Sequence, residues 1–160
     1  MKPKFTLGAE FLLTQIGAHA ASQFATRLAE LDLIPAHAGI LRILSLHPGL
    51  SQQALATSLH TVPSRLVTLV DELESKGLVQ RLQHESDRRT HALHITEDGE
   101  IMMQKIASIG LEHRERVLAS LSNEEKQLLT DLLQKIADEQ GLLEGVHPGY
   151  ARLEPKRKSK

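Results

Sequence analysis

Two long amphipathic segments, one toward each end of the chain, flank an interior that reads helix, short helix, turn, helix, two-stranded hairpin. That order predicts a mainly α protein, a winged helix-turn-helix with long N- and C-terminal dimerisation helices. A change of hydrophobic period after Gly77, from helical steps to alternation, marks where the hairpin begins. One folded unit is expected over 1–150, with the winged core at 32–98 and the dimerisation helices at 6–31 and 97–141. Residues 151–160 form a basic tail, expected to be disordered.

The elements follow from local pattern. Leu7, Phe11, Leu12, Ile16, Ala20, Phe24, Leu28 and Leu31 recur at three- and four-residue steps, which predicts a first helix from Thr6 to Leu31. Pro35 opens a second helix, Ala36 to His47, which Pro48-Gly49 closes. Ser51 is placed to cap a short third helix, Gln52 to Leu59, with Leu50 and Leu55 as a hydrophobic staple. After the turn His60-Thr61-Val62-Pro63, a fourth helix runs to Lys76 and stops at Gly77, suited to a left-handed cap. Leu78 to Leu82 and His91 to Ile95 alternate on either side of a polar run, as in a hairpin with a charged tip. Thr96 caps a fifth helix, with Glu97, Asp98 and Glu100 in its first turn where the helix dipole favours anions. Ser122-Asn123-Glu124-Glu125 has capping-box spacing and starts a sixth helix that ends near Gly141. The apolar stripes of helices one, five and six are too extensive for a monomer to cover, so a homodimer is expected.

Composition excludes several classes. The 160 residues are 41% hydrophobic and contain no cysteine, which removes disulfides, thiolate metal sites, cysteine nucleophiles and thiol redox sensing. With 2% aromatics and no tryptophan, the chain lacks the platforms on which proteins stack unpaired bases. No apolar run approaches the roughly 18 residues that span a bilayer, and no signal-peptide pattern is present, so no membrane partner and a cytoplasmic location are expected. The net charge of −1 is unevenly spread: five Lys or Arg against one Glu from Arg152 to Lys160 leave −5 on the rest.

On the fourth helix, Val62, Leu66, Leu69, Val70 and Leu73 share one face, while Ser64, Arg65, Thr68 and Glu72 share the other. The N-terminal half of that outer face carries hydroxyls and a guanidinium; the C-terminal half carries Asp71, Glu72 and Glu74, which phosphates would repel. Only the N-terminal half therefore suits a DNA major groove, where Arg65 can meet guanine O6 and N7 and Ser64 and Thr68 a phosphate or base edge. Ser51 and Gln52 begin the third helix and can face a phosphate, a role compatible with simple N-capping. Arg88 and Arg89 at the hairpin tip suit a narrow minor groove, and Asp87 can brace the loop by pairing with an arginine. The alternative for all of these is an ordinary solvated face.

Leu33-Ile34-Pro35-Ala36-His37, Pro48 to Ala56 and Pro63-Ser64-Arg65-Leu66-Val67 resemble the MarR family of bacterial transcriptional regulators. So do Val70 to Val79, and above all Asp87-Arg88-Arg89 followed by Leu93-His94-Ile95-Thr96-Glu97-Asp98-Gly99. The resemblance is close from about Leu31 to Glu100. It implies a homodimer whose first, fifth and sixth helices interlock and whose winged domains bind double-stranded DNA at a near-palindromic operator. It also implies that Arg89 is the wing arginine, Asp87 its brace, and Ser64, Arg65 and Thr68 recognition-helix positions. Many members release DNA on binding a small aromatic acid in a crevice between the dimer helices and the winged domain. Repression relieved by such an effector is thus the expected function, with His19, His37, Arg42 and His113 as candidate effector contacts. One departure stands out: from Thr61 to Ile95 five basic residues meet five acidic ones.

Nine histidines raise a metal-responsive alternative on the same fold, with His19, His37 and His113 converging near Glu112 and Glu115. No HxxxH pair lies on one helix, and His91 and His94 face opposite sides of a strand, so no metal ligand is assigned. A helical interaction module that does not bind DNA is the alternative of a different class. No nucleotide loop or Ser-His-Asp set can be justified, so neither an enzyme nor a cofactor is expected.

Overall fold

The structure, a computed structural model, describes residues 8–83 and 91–147. Its elements are α1 (Ala9–Ala29), α2 (Pro35–Leu46), β1 (Leu50–Ser51), α3 (Gln52–Ser58), α4 (Pro63–Ser75), β2 (Val79–Gln83), β3 (His91–Ile95), α5 (Glu97–Val117) and α6 (Asn123–Glu139). Among the described residues no helix is long and apolar enough to cross a membrane. Thr6, Leu7 and the basic tail lie outside the described residues.

The caps read from sequence are present. Ser51 Oγ accepts from Ala54 N–H at 3.1 Å, and Thr96 Oγ1 from Gly99 N–H at 3.0 Å. Ser122 and Glu125 form the reciprocal capping box, with bonds of 3.2 and 2.8 Å. Four helices, α1, α3, α4 and α6, end the same way: an N–H bonds back five residues around a left-handed residue. The pairs are Leu33 to Leu28, Thr61 to Ala56, Leu78 to Leu73 and Leu142 to Ala137. Glycine supplies the left-handed residue at Gly77 and Gly141, but Asp32 (φ 56°) and His60 (φ 49°) supply it elsewhere. Asp32 explains why α1 stops at Ala29 rather than at Leu31.

The expected two-stranded hairpin is a three-stranded antiparallel sheet, order β1-β3-β2. Val79 pairs with Ile95 and Gln83 with His91, while Leu50 pairs with Leu93 on the other edge of β3. Gly49, at φ 85°, turns the chain and donates its N–H to Leu93 O at 2.9 Å, which docks β1. Two residues carry too little periodicity to announce a strand.

The core joins α2, α3, α4 and the sheet. Leu41, Leu44, Leu55, Leu66, Leu73, Val70 and Leu93 are all fully buried, and Leu28 of α1 and Ile106 of α5 seal the same cluster. Arg27 and Glu112 tie α1 to α5 at 2.8 Å, and the Arg27 guanidinium holds the Glu112 carboxyl below its usual range. Beyond this junction the long helices lose their cover. Phe11, Leu12 and Ile16 of α1 and Leu128, Leu132 and Ile136 of α6 are exposed, and no residue of α6 is buried.

Two glycines at this junction serve different needs. An added Cβ at Gly99 would stand 2.2 Å from Leu78 O and 2.5 Å from Ile95 Cγ1, so α5 approaches the sheet only because that position lacks a side chain. Gly77 has open space around it and needs only its φ of 72°. Gly99→Ala should therefore lower the unfolding free energy by about 1–3 kcal/mol through overpacking. Gly77→Ala should cost about 1–2 kcal/mol, the ordinary left-handed penalty. Urea unfolding of the two variants checks both, and a Gly99→Ala protein as stable as the parent would contradict the close approach.

Candidate nucleic-acid interface

Burial of Leu66, Leu69, Val70 and Leu73 fixes which way α4 presents its remaining side chains. Ser64 and Thr68 are exposed on its N-terminal half, and the Thr68 hydroxyl makes only a long 3.4 Å bond back to Ser64 O. Arg65 is half-buried, and its Nε is enclosed with no partner among the described residues, as is the nearby Thr61 Oγ1. The guanidinium thus begins near the α4 entrance rather than standing clear of it. Val67 is 40% exposed between Ser64 and Thr68, an apolar residue on a polar face. Sequence patterning passes over it because a lone valine breaks no period; beside a base edge it suits a thymine methyl group.

The acidic half of α4 is exposed, yet its carboxylates have partners. Arg81 of β2 donates through Nη1 to Glu74 Oε2 and through Nη2 to Asp71 Oδ1. Its Nε donates to Gln52 Oε1 at 2.9 Å, and its backbone N–H to Glu74 Oε1 at 3.3 Å. One side chain so joins the sheet, α4 and the first residue of α3. Sequence reading missed Arg81, although an arginine in a strand just after three helix acids is the signal that finds it. Glu72, placed on the outer face by periodicity, instead turns toward α2, where its Oε2 accepts from His37 Nε2 at 2.7 Å.

Ser51 spends its oxygen on the α3 cap, and Gln52 is half-buried beside it. Asp87, Arg88 and Arg89 lie outside the described residues. The flanking strands that carry them are paired from Val79–Ile95 to Gln83–His91.

The four candidate effector contacts occupy different settings. His37 is 3% exposed; its Nδ1 accepts from Ile34 N–H at 3.3 Å, so the proton sits on Nε2 and goes to Glu72. Its two nitrogens are thereby committed to joining the start of α2 to α4. His37 lines a cavity of about 400 Å³ with Asp32, Glu72 and Lys76, where the end of α1 and the start of α2 meet the end of α4. Lys76 pairs there with Asp32, whose carboxyl it holds below its usual range. His19 lines a separate open groove of about 480 Å³ with Gln15, Gln23 and Arg116. His113 rests against the Phe24 ring at 5.5 Å, and Arg42 donates to Gly145 O at 2.6 Å. Among the described residues no group of three or more His, Asp or Glu is arranged to hold a metal ion, so His19, His37 and His113 do not converge within one chain.

Known proteins share this arrangement. The sequence profile of the MarR family matches residues 35–91. A putative transcriptional regulatory protein for the hcr operon of Thauera aromatica is 33% identical over 118 residues, 73% of this chain and 71% of that protein. Among solved structures, the transcriptional repressor CouR bound to a 23-mer DNA duplex matches with a TM-score of 0.72 at 27% identity, over 81% of this chain and 92% of CouR. A Mycobacterium tuberculosis MarR family protein in complex with DNA matches at 0.71 and 25% identity, over 82% of this chain and 98% of that one. These relatives are regulators of transcription, not enzymes. With a winged core of the same order and a relative of this similarity, the chain belongs to the MarR family of transcriptional regulators and carries the family's DNA-binding fold.

Proposed function

We propose that this regulator is a cytoplasmic homodimeric repressor that binds a near-palindromic operator and leaves it when a small aromatic acid binds. The observation that carries the DNA reading is the exposed N-terminal half of α4, polar and free of acids, above a fully buried leucine and valine stripe. In this reading Ser64, Arg65 and Thr68 enter the major groove, and Ser51 and Gln52 meet a phosphate. Arg88 and Arg89 follow the minor groove, braced by Asp87. Residues 1–150 act as one unit, with the basic residues from Arg152 to Lys160 as an appendage. CouR's description as a repressor bound to DNA supports the direction of control. His19, His113 and Arg42, on α1, α5 and α2, remain the effector candidates, whereas His37 serves an effector only by releasing Glu72.

The dimer reading rests on the uncovered stripe of Phe11, Leu12, Ile16, Leu128, Leu132 and Ile136. Sedimentation at micromolar concentration should give about twice the chain mass. A stable monomer would contradict it and take the paired half-sites, roughly 10 base pairs apart, with it.

Binding curves on a panel of operator variants separate the two arginines. Arg65→Ala should relax preference at one base pair per half-site, by about 1–3 kcal/mol against the best sequence. Arg89→Ala should weaken all sites, most those flanked by A·T tracts, and flatten the dependence on salt. Unchanged sequence preference in Arg65→Ala, with altered preference in Arg89→Ala, would reverse the two roles.

A further inference from the structure

Arg81 lies outside the side chains assigned to DNA, yet it bonds from β2 to both helices that carry them. Its side chain is 18% exposed, well shielded for a guanidinium next to a solvated helix end. A guanidinium has donors and no acceptor, so the Gln52 atom that meets Arg81 Nε at 2.9 Å must be the amide oxygen. The amide nitrogen is then turned away from Arg81, and among the described residues nothing is found to accept from it. A phosphate oxygen only accepts. An amide free to rotate would as readily present its own oxygen, which a phosphate repels; an amide held by its oxygen presents donors alone.

We propose that Arg81 is a positioning residue for DNA binding, which fixes the Gln52 amide so that its NH₂ group faces the phosphate backbone. The same guanidinium pairs with the exposed Asp71 and Glu74, so the acidic half of α4 repels the duplex less than its composition implies. Arg81 touches no DNA in this account; it acts through Gln52 and the two carboxylates. The inference rests on the proposed contact between Gln52 and a phosphate.

A phosphate contact does not depend on base sequence, so the full-length protein and a short random-sequence duplex at low salt suffice as the probe. Wild type, Gln52→Ala, Arg81→Lys and the double variant complete a cycle. Lysine keeps the charge but offers a single ammonium where the planar fork reaches three partners. Gln52→Ala is expected to weaken binding about tenfold in the wild-type background, as for a lost hydrogen bond to a charged group. In the Arg81→Lys background it is expected to cost less than about threefold, because the amide is already misdirected. Equal losses in both backgrounds overturn the positioning role while leaving Gln52 at the DNA. No loss from Gln52→Ala in the wild type removes Gln52 from the interface, and the inference with it, but leaves the DNA-binding reading standing. Thermal melting shows whether Arg81→Lys folds. If it does not, the wild type decides by NMR: the Gln52 side-chain amide protons, assigned against Gln52→Ala, shift when the duplex is added, and unmoved protons overturn the proposal.

Discussion

Burial of the α4 stripe is the constraint on which the other features depend. With Leu66, Leu69, Val70 and Leu73 sealed against α2, α3 and the sheet, α4 cannot rotate, and its other residues are assigned to two neighbourhoods. Ser64, Val67 and Thr68 near the N-terminus remain outside. Asp71, Glu72 and Glu74 near the C-terminus are taken up by neighbours: Arg81 from the sheet and His37 from α2. Arg81 offsets part of the negative charge of that half.

His37 and Arg81 approach α4 from different elements, one from α2 and one from β2, and both bond to its acidic half. The 2.7 Å bond from the buried His37 imidazole to Glu72 adds a directional contact to the apolar packing of α4. The cavity beside His37, with Lys76 and Asp32 at its rim, also places charged groups where the end of α1 meets the end of α4. Through the Lys76–Asp32 pair the end of α1 is joined to the end of α4.

Much of this was legible in the sequence. Caps at Ser51, Thr96 and Ser122 rest on side-chain oxygens that act within four residues, and Gly77 announces a left-handed end by its residue type. What stayed hidden depended on distance in the chain. Asp32 and His60 end helices as a glycine would, but Asp and His favour that conformation far less than glycine does, so their residue types mark the ends only weakly. β1 is a strand only because β3, some forty residues later, has a free edge for Leu50. Arg81 and Glu72 look like surface residues until the fold brings Gln52, Asp71 and His37 beside them. His37 looked available for a ligand for the same reason.

The proposed reading of the major groove by the N-terminal half of α4, once from each of two symmetric subunits, is open to direct measurement. Chemical protection of a DNA fragment recovered from genomic DNA by its binding to the protein tests this directly. Guanine N7 atoms lie in the major groove, so their methylation reports that groove alone. Two protected clusters are expected, with centres about 10 base pairs apart or a small multiple of that spacing. A single protected cluster, or N7 atoms as reactive as in free DNA while the backbone is protected, would contradict it.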